Sequence, residues 1–175
     1  MRRKSITLVF SLLIAPVLVA EAAAKAPPRN VLLKHHVVVA QGEKQKAVDS
    51  ILGLRVGTKI EEAHEKLKTL GTVGGRATRE GGRKEAWTLK ETEFTSVVYK
   101  TNAAGRVVWI TGFVRPGKEI PFDKLGDLAR ATGKDKTEAV WDVETQGGGY
   151  KLVAKGPDGK ARVVTLISLD ATPIK

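Results

Sequence analysis

Few side chains in this 175-residue chain have the type and spacing that catalysis or metal binding needs. Asp142 and Glu144 alternate with Trp141 and Val143, so on a strand both carboxylates face one way. Paired acids can do general acid–base work, but the same alternation marks the wet side of a half-buried strand, and that reading is preferred. His35, His36 and His64 are the only histidines. The first two are adjacent and would point to opposite faces of a strand, so three converging metal ligands cannot be assembled from them. Ser50, Ser96 and Ser168 lack the flanking glycines of a nucleophile elbow. The glycines of Gly71–Gly75 and Gly81-Gly82 do not stand between a strand and a helix as a phosphate-cradling loop requires. No catalytic residue, metal site or cofactor is therefore expected.

What remains are residues suited to contact. Arg76, Arg79, Arg83 and Lys84 fall in a glycine-rich stretch, Gly71–Glu85, which reads as a loop able to meet anions. Trp87, Tyr99, Trp109, Phe113, Trp141 and Tyr150 all fall on strand-like runs. On an open sheet face aromatics anchor partners, and on a covered face they form core. Trp87 and Trp141 are assigned to the core. Tyr99 and Trp109 join the four basic residues as candidate partner-binding side chains.

The elements that must position these residues begin with Leu54–Gly71. Thr58 and Glu61 have the spacing of a capping box. Ile60, Ala63, Leu67 and Leu70 form one apolar stripe, and Gly71 is placed to end the helix in a left-handed cap. Glu43–Leu52 reads as a preceding helix, making a helical hairpin, and His35–Ala40 as a short strand. After Gly71–Glu85 the period becomes two: Trp87–Lys90, Phe94–Lys100 and Arg106–Val114 are strands, with Asn102–Gly105 a turn. Val107, Trp109, Thr111 and Phe113 are expected on one face, Val108 and Ile110 on the other. Pro121–Thr132 reads as another helix, followed by strands at Ala139–Thr145, Tyr150–Lys155 and Ala161–Leu169, with Gly156–Gly159 a turn. The order of helix then hairpins occurs twice, and Trp87 precedes Gly105 by the same distance as Trp141 precedes Gly159. The expected fold is α+β, helices packed on one face of an antiparallel sheet, in a tandem repeat of a helix-plus-hairpins unit.

Residues 1–24 have the form of a signal peptide: Arg2, Arg3 and Lys4, then the apolar run Ile6–Val19, then small residues around Ala22. The run is short for a membrane span. The expected organisation is signal 1–24, linker and short strand 25–43, a first unit 44–115, a second unit 116–170 and a tail 171–175. The net charge of +11 falls to +9 once three basic residues and Glu21 leave with the signal. With no cysteine there is no disulfide and no site for lipid attachment. A periplasmic or secreted protein without a lipid anchor or a transmembrane segment is expected.

Ile51–Thr58 (ILGLRVGT), followed by Ala63, Leu67, Leu70 and Gly71, resembles the opening motif of BamE-like (SmpA/OmlA-like) envelope proteins. The doubled arrangement is similar to the β-lactamase-inhibitor-protein fold. The likeness covers Lys44–Val114 and, more loosely, Pro121–Leu169. It implies a non-enzymatic role, binding an envelope protein as an assembly factor or inhibitor. Members of the first group are typically lipoproteins and inhibitor members carry disulfides, whereas this chain has no cysteine. The expected function is an exported protein-interaction module. The alternatives are a binder of anionic envelope lipid or polysaccharide through the basic surface and, third, an uncharacterised enzyme. Nucleic acid, which exported proteins rarely meet, is set aside as a partner.

Overall fold

The computed structural model describes residues 47–79, 81–145 and 148–170. The signal, the linker with His35–Ala40, residues 43–46 of the expected first helix and the tail lie outside them. In chain order the elements are α1 (Ile60–Lys68), β1 (Gly71–Arg79), β2 (Gly82–Leu89), β3 (Phe94–Thr101), β4 (Val107–Val114), β5 (Ile120–Pro121), β6 (Gly133–Lys134), β7 (Glu138–Thr145), β8 (Gly148–Lys155), β9 (Lys160–Ala161) and β10 (Val163–Ser168). Eight strands form one antiparallel sheet in the order β1-β2-β3-β4-β10-β8-β7-β6, and β5 pairs with β9 beside it.

The described residues are mostly β, with a single short α-helix among them. This corrects the expectation of an α+β fold built from a repeated helix-plus-hairpins unit. Residues 47–52 are not helical: the chain turns through Leu52 and Gly53, both at positive φ, and Ile51 pairs with Leu54. Pro121–Thr132 holds two 3-10 turns, Phe122–Lys124 and Leu128–Arg130, in place of an α-helix. The reason is packing. A Cβ on Gly126 would sit 2.8 Å from the Trp141 ring, and the Trp141 indole N–H donates to the Asp127 carbonyl at 2.9 Å. The indole thus takes the space and the carbonyl that a regular helix would use. Gly71–Glu85 is not a loop either, being β1 and the first half of β2.

Around α1 the apolar stripe is as expected: Ala63 and Leu67 are buried, and Ile60 and Leu70 pack against the core. Its ends differ. No side chain caps the N-terminus, and Thr58 Oγ1 instead accepts from the Arg55 amide. Gly71 begins β1, and glycine is required there because a Cβ would lie 2.0 Å from the Thr88 carbonyl oxygen.

One face of the sheet is covered. Residues 47–58, α1 and the 3-10 turns bury Val48, Ile51, Leu54, Leu67, Phe122 and Leu125 against side chains from every long strand except β1. The inward set includes Glu85, Tyr99, Ile110, Leu166, Leu152 and Trp141, which the strand registers place in one row across the sheet, with Trp87 opposite Val97 in the next. A register slip between Lys100 and Thr101 leaves an extra residue in β4. Val107 therefore turns into the core with Ile110, and does not share the face of Trp109.

Candidate functional site

Two groups of polar and aromatic residues emerge, one on each face of the β1–β4 half. Beneath the α1 edge lies Glu85, with no exposed surface. It follows the period of Trp87 and Leu89, so β2 directs all three inward. Its Oε2 accepts from the Tyr99 hydroxyl at 2.6 Å and from the Trp87 indole N–H at 3.2 Å. Its Oε1 faces Arg76 Nε at 3.1 Å and Arg83 Nη1 at 3.7 Å, contacts that balance charge without the alignment of a hydrogen bond. His64 of α1 closes the group: Nδ1 lies 3.6 Å from Oε2, and the ring meets Trp87 edge-on at 4.9 Å. Burial pushes the Glu85 carboxyl up. That is outweighed by the hydrogen bonds from Tyr99 and Trp87 and the charges of Arg76 and His64, which hold it below the usual carboxylate range. Burial first, then the hydrogen bond and charge of Glu85, push the Tyr99 hydroxyl well above its ordinary value.

This is a buried ion cluster with both oxygens of its acid engaged, and it offers no reacting atom to a substrate. It also relocates the expected contact residues. Tyr99 is entirely buried and presents no surface to a partner. Arg76 and Arg83 remain about half exposed while leaning on Glu85. Arg79 ends β1. The sequence reading missed Glu85 because it placed the residue at the end of a loop. The alternation Glu85-Ala-Trp87-Thr-Leu89 was the available signal.

The second group lies on the opposite face. Trp109, Thr111 and Phe113 of β4 alternate outward, with Ile167, Thr165 and Val163 of β10 beside them and Lys100, Val98 and Ser96 of β3 on the other flank. Phe113 is 40% exposed, and Thr111 and Thr165 share a hydroxyl–hydroxyl hydrogen bond of 2.7 Å between the aromatics. Lys100 Nζ stands 5.3 Å from the centroid of the Trp109 ring, a cation–π contact. Lys84 pairs directly across from Lys100, so two like charges face each other at this margin. At the far margin the lysines are answered. Lys155 meets Glu138 at 2.6 Å and Lys151 meets Asp142 at 2.7 Å, each across the β7–β8 ladder. On this face Phe113 is exposed and Trp109 half-buried, while Thr111 between them is buried.

Asp142 and Glu144 lie at a cavity of about 190 Å³ on the outer side of β7, with Asp127 and Arg130 at its rim. Two of its three acids are engaged: Asp142 with Lys151, and Asp127 with the Ala129 amide at 2.9 Å. A second cavity of about 230 Å³, lined by Val56, Arg106, Tyr150, Ser168 and Asp170 among others, touches none of the expected contact residues.

Compared with models of protein families, with characterised proteins and with solved structures, the chain matches none. No match carries the resemblance to BamE-like or inhibitor-like proteins.

Proposed function

We propose that this chain is an exported, non-catalytic protein-binding module of the cell envelope, and that it binds through the open face of its sheet. The observation that supports this is the pair of outward aromatics, Trp109, half-buried, and Phe113, 40% exposed, on either side of the buried Thr111. Aromatic side chains held on a rigid sheet supply contact area at small entropic cost, and such residues dominate interface energies. The opposed lysines Lys84 and Lys100 define the partner's chemistry further: an apolar centre with carboxylates toward the β2–β3 margin. Export rests on the form of residues 1–24, and no helix among the described residues is long and apolar enough to cross a membrane.

The test is capture of a partner from an envelope extract with the signal-free chain, repeated with Trp109→Ala and at raised salt. Loss of the hot-spot residue is expected to weaken binding by a factor of roughly 30, with the melting temperature unchanged. Binding that persists in Trp109→Ala, or that disappears in salt irrespective of Trp109, would replace this reading with charge-driven attachment to anionic lipid or polysaccharide.

A further inference from the structure

The sheet has two ends, and they are not alike. One ends in β6, two residues long, folded back on β7. Short edges of this kind block further pairing. The other ends in β1, nine residues long, with β2 on one side and no strand among the described residues on the other. β1 contains no proline. Its bulge, between Val73 and Gly75, leaves the pairing of Gly75–Arg79 regular.

The register shows which backbone groups are free. Lys90 donates its amide to the Leu70 carbonyl just before the ladder, and bonded and non-bonded pairs alternate from there. Antiparallel alternation then turns the N–H and C=O of Thr78 and Arg76 away from β2. The partner side agrees: opposite Thr78, the Arg83 amide points toward β3 and donates to Thr101 Oγ1 at 3.1 Å. Outside β1 the side chains are selective too. Val73, 39% exposed, and Arg76 lie on the same side of the strand, since they pair with Trp87 and Glu85. Arg76 and Arg83 share the one buried carboxylate, so positive charge is left over at this edge.

We propose that β1 is a strand-addition edge that accepts an extended, acid-bearing segment of a partner protein, with an apolar side chain over Val73 and a carboxylate facing Arg76. Backbone pairing would supply affinity and the alternating side chains specificity. A second copy of the chain fits poorly: joining two β1 edges would set one surplus of positive charge against another. This surface is separate from the open face and stands or falls without it.

The experiment is amide hydrogen exchange read by NMR on the signal-free chain. The probe is a peptide of roughly ten residues alternating threonine and glutamate around a central valine, compared with its lysine counterpart. Alone, Arg76 and Thr78 should exchange rapidly. The acidic peptide should slow them by at least roughly tenfold, increasingly at low salt, and the lysine peptide should not. Thr78→Pro removes an outward amide that no ladder bond uses, so it should abolish protection without lowering the melting temperature. Val73→Asp, a second variant on exposed surface, should also abolish it by repelling the peptide. Slow exchange in the free chain would overturn the proposal by showing the edge already covered, by residues 1–46 or by a second copy. Equal protection by both peptides, undiminished protection in both variants, or a shift of the Trp109 indole resonance without β1 protection would also overturn it. The last outcome would leave the open-face reading intact.

Discussion

The two ends of the sheet solve one problem in opposite ways. Each must place an indole and several charges near a covering segment. At the β2 end, Trp87 gives its N–H to the Glu85 carboxylate, so a charge is buried and two arginines and His64 gather round it under an α-helix. At the β7 end, Trp141 gives its N–H to a backbone carbonyl, a glycine lies against its ring, and the acids stay in solvent, paired with lysines across the ladder. The difference separates ionic groups that specify structure from those that decorate it. Removing a partner from a buried cluster strands the remaining charges, whereas exposed pairs contribute little.

The sharpest way to break this contrast is Glu85→Ala. It leaves Tyr99 and Trp87 with unmet donors and two arginines without their acid, and a loss of about 3–5 kcal/mol is expected in urea unfolding. A loss no larger than that of a surface acid would show that the cluster is solvated and the contrast empty. Next comes Gly126→Ala at the other end, where the new Cβ meets the Trp141 ring and Ala47, at a cost of about 1–3 kcal/mol by thermal melting. Were the segment a helix, the same change would stabilise it.

Acidity gives a third comparison. The folded-state pKa of Glu85 is held below its ordinary 4.5. Its contribution is therefore present above that value and lost as the pH falls through the folded pKa. The acid limb of a stability profile should be steeper in the native chain than in Glu85→Gln. The two tyrosines report the alkaline side. Burial, then the charge of Asp49, push Tyr150 up to about 12, and Tyr99 is raised further. The stability they lend is present below pH 10 and declines as the pH rises through their folded values. Tyrosinate absorbance should stay absent near pH 10 and appear only above it. The smallest effect belongs to Asp142→Asn, below about 1 kcal/mol and diminished by salt.

Period-two alternation made β3, β4, β7, β8 and β10 legible in the sequence, and the stripe Ile60, Ala63, Leu67 and Leu70 made α1 legible. The failures have physical causes. β1 is rich in glycine and arginine, as loops are, and becomes a strand because β2 pairs with it, which no local preference announces. The apolar spacing of Pro121–Thr132 suits a helix, but a ring from a distant strand claims the space beside Gly126. The register slip in β4 reversed the side of Val107. At the candidate site Trp109 was identified correctly as an aromatic on a strand, while Tyr99 could not be told from it, since sequence does not say which face is covered. The deciding residue was Glu85, whose ion partners come from β1, β2 and α1.

The last strand in sequence, β10, is not at a margin but in the middle, bonded to β4 on one side and β8 on the other. Until Val163–Ser168 has been synthesised, β4 and β8 are both raw borders, and the two groups of strands have no seam between them. Assembly is therefore a late event that pairs residues far apart along the chain, slow by its topology and exposed to aggregation while it waits. A chain interrupted before Val163 would be left as two unjoined groups of strands.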